Sequence, residues 1–319
     1  VTASPPAASP VTWAYHDGGW TDVAAASVPV GSLAMRYALS VFEGVRMYRQ
    51  HGAGGVVPFL LDAHVRRLGD SLTLTRIPDP GIARLPSLVG ELARRNGFDD
   101  DVYVRVAVSA HNQGTMGADV VPVLTVTGTP MGRKRWLAGG FTGMRLQISG
   151  WQRGGPNTFP PAAKNISNYA GPRLALLAAK DGGYDNCVLL NEHGRLCEAP
   201  TAALFVVRDG ELHTPALSEG VLPGITRQWV LDTARRVGVP AREGLLSRGD
   251  AYLADEAFLC GTGLEIAPVR SFDDHPCRHW PDAPVTRAFT KHFFDQVRGL
   301  DSPADPLEDV PHEASGAAQ

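Results

Sequence analysis

Two runs rich in β-branched residues, VYVRVAVSA at 102–110 and VVPVLTVTG at 120–128, constrain this chain more than any other feature. Valine and threonine at that density fit a pleated surface and resist a helix, so both runs read as sheet strands, with the Gly-rich turn HNQGTMGAD between them. Helical spacing lies just upstream. LLDAHVRRLGDSLTL places Leu61, His64, Val65, Leu68 and Leu72 at intervals of three and four, and LPSLVGELARRNG gives a second helix with Gly97 as its stop signal. Earlier still, AYHDGGW gives two short extended pieces around an Asp-Gly-Gly turn, and Tyr37 to Tyr48, YALSVFEGVRMY, reads as a strand ending near Gly44. An N-terminal domain mixing α and β elements is expected.

The stretch TPMGRKRWLAGGFTG breaks this pattern with glycines and a basic cluster and is expected to be an exposed linker. Beyond it, YAGPRLALLAAKDGG reads as a helix, CVLLNEHGRLCE as a hairpin, and ALFVVRDGELHTP as a second hairpin turning at Asp209-Gly210. ITRQWVLDTARRVG is a further helix, AYLADEAFLCGTG approaches a strand and a Gly turn, and PVTRAFTKHFFDQVRG closes the fold. A length of 319 residues also favours two domains over one core. The expected division is a disordered end at 1–10, an N-terminal α/β domain at 11–130, a linker with a strand leading onward at 131–155, a C-terminal domain at 156–300 and a disordered tail at 301–319.

A formal net charge of -3 gives no reason to expect nucleic acid or an anionic membrane as partner. Cys187, Cys197, Cys260 and Cys277 lack zinc-type or CxxC spacing, which favours reduced, buried thiols, and no metal centre is expected. VTASPPAASP has neither a charged leader nor an apolar core, and no later apolar run could span a bilayer, so a soluble cytoplasmic protein is expected. There is no GxGxxG, which argues against a doubly wound nicotinamide fold.

The chemistry centres on Lys164, set between a Pro-rich approach and a short polar run in PNTFPPAAKNISNYAG. No carboxylate neighbours it in the run, so its amine is either solvated or held for chemistry such as a Schiff base. Other segments suit a phosphorylated aldehyde cofactor. Glu198 precedes a Pro-containing turn and can project a carboxylate toward a pyridine nitrogen; the alternative is a solvated surface acid. PGITR puts Thr226 at a helix start, where free amides and a hydroxyl bind phosphate, and Cys260-Gly261-Thr262-Gly263 offers a second set of turn amides. Arg67 could complete the cradle or be a solvated helical arginine.

Taken together, YALSVFEGVRMY, HVRRL, YVRV, PNTFPPAAKNISNY, Glu198, LPGITR and LADEAFLCGTGLEIAPVRS make a chain that resembles the fold-type IV pyridoxal-phosphate aminotransferases, most of all the branched-chain aminotransferases, from about Trp13 to Gly299. The resemblance implies a two-domain mixed α/β fold, with a smaller N-terminal domain, a larger C-terminal pyridoxal 5'-phosphate domain and the cofactor at their interface. It implies Lys164 as the Schiff-base lysine, Tyr169 beside the ring hydroxyl and Glu198 on the pyridine nitrogen. The phosphate would be held by Arg67, Thr226, Thr262 and the backbone around Leu222, Gly224, Ile225 and Gly261. Tyr103, Arg105 and the turn amides of Thr262 and Gly263 would bind substrate carboxylates, and Tyr37 and Phe42 would wall the side-chain pocket, simple core packing being their alternative. The implied reaction moves an amino group between an L-amino acid and a 2-oxo acid such as 2-oxoglutarate, by ping-pong chemistry, in a homodimer.

Two departures bear on substrate. Where relatives carry Trp-Gly-x-Tyr, this chain reads Met131-Gly132-Arg133-Lys134, then Arg135 and Trp136, which favours a polar or anionic side chain unless the cations simply face water. After Glu198, where relatives have a Gly-rich turn ending in Glu-Asn, it reads Ala199-Pro200-Thr201-Ala202-Ala203, and HNQGTMGA is one residue longer than the related loop. A specialised aminotransferase acting on a non-standard amino acid is one expectation. A D-amino acid aminotransferase, an aminodeoxychorismate lyase-like enzyme and a cofactor-binding protein without catalysis are the alternatives.

Overall fold

The computed structural model describes residues 11–52, 54–134 and 140–300; the ends at 1–10 and 301–319, expected to be disordered, and Arg135 and Trp136 lie outside the described residues. The chain divides into two units, Val1–Gly132 and Arg133–Gln319.

The first unit is built on an antiparallel sheet in the order β2-β1-β6-β5-β3-β4. Its strands are β1 (Trp13–His16), β2 (Gly19–Asp22), β3 (Ser40–Arg49), β4 (Val56–Pro58), β5 (Val102–Ala110) and β6 (Pro122–Pro130). The β-branched runs that constrain the sequence are the two adjacent strands β5 and β6, and β5 also pairs along its length with β3. Val102, Val104, Val106 and Val108 alternate onto one face of β5, where they share a core with Leu68, Leu72, Val89 and Leu92. Those leucines and that valine come from α2 (Leu61–Thr75) and α3 (Leu85–Asn96). Each such side chain contributes about 1.5–3 kcal/mol by leaving water. Gly97 ends α3 at φ 60, its amide closing on Ala93.

The strand expected from Tyr37 to near Gly44 differs at both ends. Tyr37 is the last residue of the short helix α1 (Leu33–Tyr37), which Ser32 caps, and β3 runs through Gly44 to Arg49. Gly44 marks a close approach, since a Cβ there would stand 2.0 Å from the Tyr103 hydroxyl on β5.

The second unit carries a mixed sheet in the order β11-β10-β9-β12-β13-β7-β8, with β14 on β13. Its strands are β7 (Met144–Gln152), β8 (Asn186–Leu190), β9 (Ala203–Arg208), β10 (Glu211–Pro215), β11 (Ala241–Gly244), β12 (Glu256–Gly261), β13 (Glu265–Phe272) and β14 (His275–Pro276). Its helices are α4 (Ala170–Asp181), α5 (Ile225–Val237), α6 (Arg248–Tyr252) and α7 (Pro284–Val297). Leu146, Ile148, Val188, Leu204, Val206, Leu259 and Phe272 bring strands from across the sheet into one core.

The β9–β10 hairpin turns at Asp209-Gly210, both at positive φ, as a two-residue turn requires. CVLLNEHGRLCE folds back on itself as expected: Asn191 N bonds Arg195 O, Cys197 N bonds Leu189 O and Leu189 N bonds Glu198 O, although only the first leg, β8, is a regular strand, paired in parallel with β7. Within AYLADEAFLCGTG, Ala251 and Tyr252 end α6, which a Ser247–Asp250 capping box starts, so the strand begins only at Glu256. Among the described residues, no helix is long and apolar enough to cross a membrane.

Candidate active site

Lys164 lies in a tightly wound turn. The amide of Ala163 bonds to Pro160 and that of Asn165 to Ala163, and Asn165 starts a 3-10 turn over Ile166–Tyr169 by accepting from the Ser167 amide at 2.8 Å. Ala163 and Asn165 are buried on either side of the half-buried lysine. The turn returns the chain so that Lys164 Nζ donates to the Tyr169 hydroxyl at 2.8 Å. The amine thus has a phenol as partner at close range.

Glu198 is buried, not solvated. Its Oε1 lies 2.7 Å from Arg153 Nε, and its Oε2 accepts the Leu222 amide at 3.1 Å. Burial pushes the carboxyl up; Arg153, the Leu222 amide, Lys164 and Arg227 pull it back without cancelling the rise. The charge of Lys164 therefore reaches Glu198, and the two sequence-predicted groups are brought into one neighbourhood.

Leu222 opens the segment that leads into α5. Gly224 is its N-cap at φ -70 and ψ 131 with no side-chain cap, so the first-turn amides of Ile225 and Thr226 have no carbonyl one turn back. The helix dipole adds positive potential at that end. Across β12, the turn Gly261-Thr262-Gly263 closes through Leu264 N to Gly261 O. A Cβ on Gly261 would meet the Thr201 carbonyl at 3.2 Å and Ala202 Cα at 3.6 Å. The small residues after Glu198 thus pack directly against this turn.

In the first unit Arg67 is buried as well. Its Nε and Nη2 bond the two oxygens of Glu43 at 2.7 and 2.8 Å, and His64 Nδ1 lies 2.7 Å from Glu43 Oε2. Burial pushes the Glu43 carboxyl up, but the charge of Arg67 and the bonds from His64 and Arg67 outweigh it and hold the group at about 2. An ionised carboxylate only accepts, so Nδ1 is the nitrogen of His64 that carries hydrogen. Arg105 bonds the half-buried Tyr103, whose hydroxyl is pushed up by burial, and lays its guanidinium 3.9 Å from the centre of the Phe42 ring. Tyr37 has Arg36 over its ring at 5.2 Å. Met131 and Lys134 are half-buried, and the exposed Arg133 stacks over Phe294 at 4.4 Å.

The second unit thus gathers Lys164, Tyr169, Glu198 and Leu222, and the first gathers Arg67 with Glu43 and His64, and Tyr103 with Arg105 and Phe42. Sequence reasoning missed Arg153, Glu43 and His64. A charge inside the apolar run SVFEGV demands a buried partner, and His64 and Arg67 share one helix face, so the Glu43 group carried a readable signal. Arg153 carried none.

The donor set of the second unit fits a phosphorylated pyridine aldehyde: an amine beside a phenol, a buried carboxylate, and amides at an uncapped helix start and a glycine turn that a Cβ would fill. The comparisons agree. Residues 40–272 match the family described as amino-transferase class IV. The chain is 36% identical over 285 residues to a branched-chain-amino-acid aminotransferase of Salmonella typhimurium, covering 88% of this chain and 90% of that one. The branched-chain aminotransferase of Thermobaculum terrenum in its PLP form superposes with a TM-score of 0.86 at 31% identity, over 92% of this chain and 96% of that one. That of Thermoproteus uzoniensis with norvaline gives 0.85 at 30% identity, over 93% and 99%.

Proposed function

The chain belongs to the class IV amino-transferases, enzymes dependent on pyridoxal 5'-phosphate, and from that premise we propose that it exchanges an amino group between an L-amino acid and a 2-oxo acid such as 2-oxoglutarate, with Lys164 as the covalent anchor. The observation that carries this reading is the 2.8 Å bond from Lys164 Nζ to the Tyr169 hydroxyl, with the lysine's charge also acting on the buried Glu198. When bound, the cofactor supplies an aldehyde that an amine can condense with and a ring that withdraws electrons from the bond being broken. The chain supplies orientation and proton movement. Lys164 Nζ would take a proton from the substrate α-carbon and deliver it to the cofactor's aldehyde carbon, and Tyr169 would hold that amine in place. Glu198 holds a proton on the ring nitrogen, with Arg153 and the Leu222 amide fixing its oxygens. Thr226, Thr262 and the backbone amides of Ile225 and Gly261 are assigned to the phosphate, as is Arg67, oriented by Glu43.

Tyr103 and Arg105 are assigned to substrate carboxylate and Phe42 and Tyr37 to the side-chain wall. The named activity of the relatives supports a branched-chain donor, and Arg133 and Lys134 favour a second reading in which a polar or non-standard amino acid is taken. A cytoplasmic homodimer belongs to the same proposal. The experiment is spectral and kinetic. With pyridoxal phosphate the protein should develop a visible band that leucine bleaches and 2-oxoglutarate restores, with parallel double-reciprocal plots. Lys164→Ala should lose both band and turnover. A band that survives Lys164→Ala, or turnover that needs no 2-oxo acid, would sink the proposal.

A further inference from the structure

Arg153 touches two parts of the proposed cofactor site at once. It leaves β7 with its amide bonded to Leu190 O at 2.8 Å, and its Nε lies 2.7 Å from Glu198 Oε1. The same Nε donates to the carbonyl of Gly220 at 3.1 Å, two residues before Leu222, whose amide holds the other oxygen of Glu198. A closed ring results, running from Arg153 to Glu198, to Leu222 and back along the chain to Gly220. Outside this ring, Glu219 fastens the same stretch from below through Arg195 and through Asn191 at 2.7 Å, so Gly220 and Leu222 have little freedom.

We propose that Arg153 is the positioning residue of this site, setting the charge of Glu198 and the placement of the Leu222–Thr226 phosphate segment through one side chain. It rests on the cofactor assignment made above. The physical ground is that a buried carboxylate keeps its charge only beside a partner. The groups acting on Glu198 are Arg153, the Leu222 amide, Lys164 and Arg227, and Cys197 is the neighbouring thiol. Arg153 is in direct ion-pair contact with the carboxylate. Removing it leaves burial to neutralise Glu198, and a neutral acid no longer holds a proton on a ring nitrogen. It also frees the Gly220 carbonyl, so the phosphate segment loses a tether. Lysine at this place restores a charge but not the rigid guanidinium plane that fixes Nε between Glu198 and the Gly220 carbonyl.

The test uses full-length protein carrying Arg153→Met, Arg153→Lys and Glu198→Gln, singly and with Arg153→Met combined with Glu198→Gln. Three readouts are taken: the pH midpoint of the visible band of bound pyridoxal phosphate, the cofactor dissociation constant, and the melting temperature of the cofactor-free protein. Arg153→Met is expected to raise the pH midpoint by about one unit or more and to weaken cofactor binding at least tenfold. Arg153→Lys should recover most of the midpoint and little of the affinity. In the Glu198→Gln background, Arg153→Met should no longer move the midpoint. A midpoint unchanged in Arg153→Met, or moved equally with Glu198 absent, overturns the proposal. Should Arg153→Met fail to fold, Arg153→Lys decides alone: wild-type affinity overturns the proposal and a selective loss of affinity supports it. If wild-type protein shows no Lys164-dependent band, the cofactor assignment itself has failed, which is a separate result.

Discussion

Replacing Glu43 by glutamine keeps the shape of the side chain while removing the charge that Arg67 and His64 both face. Two estimates give the cost. The carboxyl is held at about 2 against an ordinary 4.5, and a difference of roughly two to three units at ~1.4 kcal/mol each is about 3 kcal/mol. Independently, leaving a buried guanidinium without its carboxylate costs about 3–5 kcal/mol. The sign follows from the lowered value: the stabilisation is complete above pH 4.5 and disappears as pH falls through about 2. Urea unfolding of cofactor-free protein should therefore separate wild type from Glu43→Gln by about 3–5 kcal/mol at neutral pH, shrinking to about 1 kcal/mol near pH 3. A neutral-pH difference under about 1 kcal/mol, or one that does not shrink in acid, would refute the account of this triad.

Gly44→Ala would put a methyl 2.0 Å from the Tyr103 hydroxyl, so the phenol must move by more than an ångström. KM for the 2-oxo acid should rise with the cofactor band unchanged, at a stability cost of about 1–3 kcal/mol in a melting experiment. Tyr169→Phe removes the acceptor of Lys164 Nζ; a charge-assisted bond worth about 1.5–3 kcal/mol predicts a kcat loss of roughly ten- to a hundredfold in a steady-state assay. Glu256 accepts the amides of Val285 and Thr286 at the start of α7 at 3.1 and 2.7 Å. Glu256→Gln should lower stability by about 1–2 kcal/mol by differential scanning, with kcat unaffected.

What the sequence disclosed and what it hid divide along a physical line. Helices α2, α3, α4 and α5 follow from local periodicity, the last three also from glycines at their ends, and Lys164 and Tyr169 are only five positions apart, so their meeting is local too. Glu198 and Gly44 depend on distant partners. Nothing in the spacing tells that Gly44 yields room to a tyrosine on the next strand, or that a lone arginine after β7 will lie against Glu198. Strand pairing fixes those meetings, and pairing between remote segments leaves little trace in a single chain. The exception is instructive: Glu43 within an apolar strand signalled a buried partner, because a charge there is untenable alone.

The same arithmetic limits what the basic linker can do to specificity. Arg133 is exposed and rests over Phe294 at 4.4 Å, and Phe294 packs edge-on to Phe293, which in turn meets Trp229 of α5. A cation over an aromatic ring at an exposed place is worth about 0.5–1 kcal/mol. An exposed ion pair with a substrate carboxylate is worth about 0–1 kcal/mol, so moving the guanidinium from ring to substrate is close to an even exchange. Arg133 alone cannot then turn the enzyme from apolar toward anionic donors by much. Arg133→Gln should change the ratio of kcat/KM for leucine to that for glutamate by less than about tenfold, since a tenfold change requires ~1.4 kcal/mol. A hundredfold shift in that ratio would mean that the guanidinium meets substrate in a desolvated place, and the polar-donor reading would then become the stronger one.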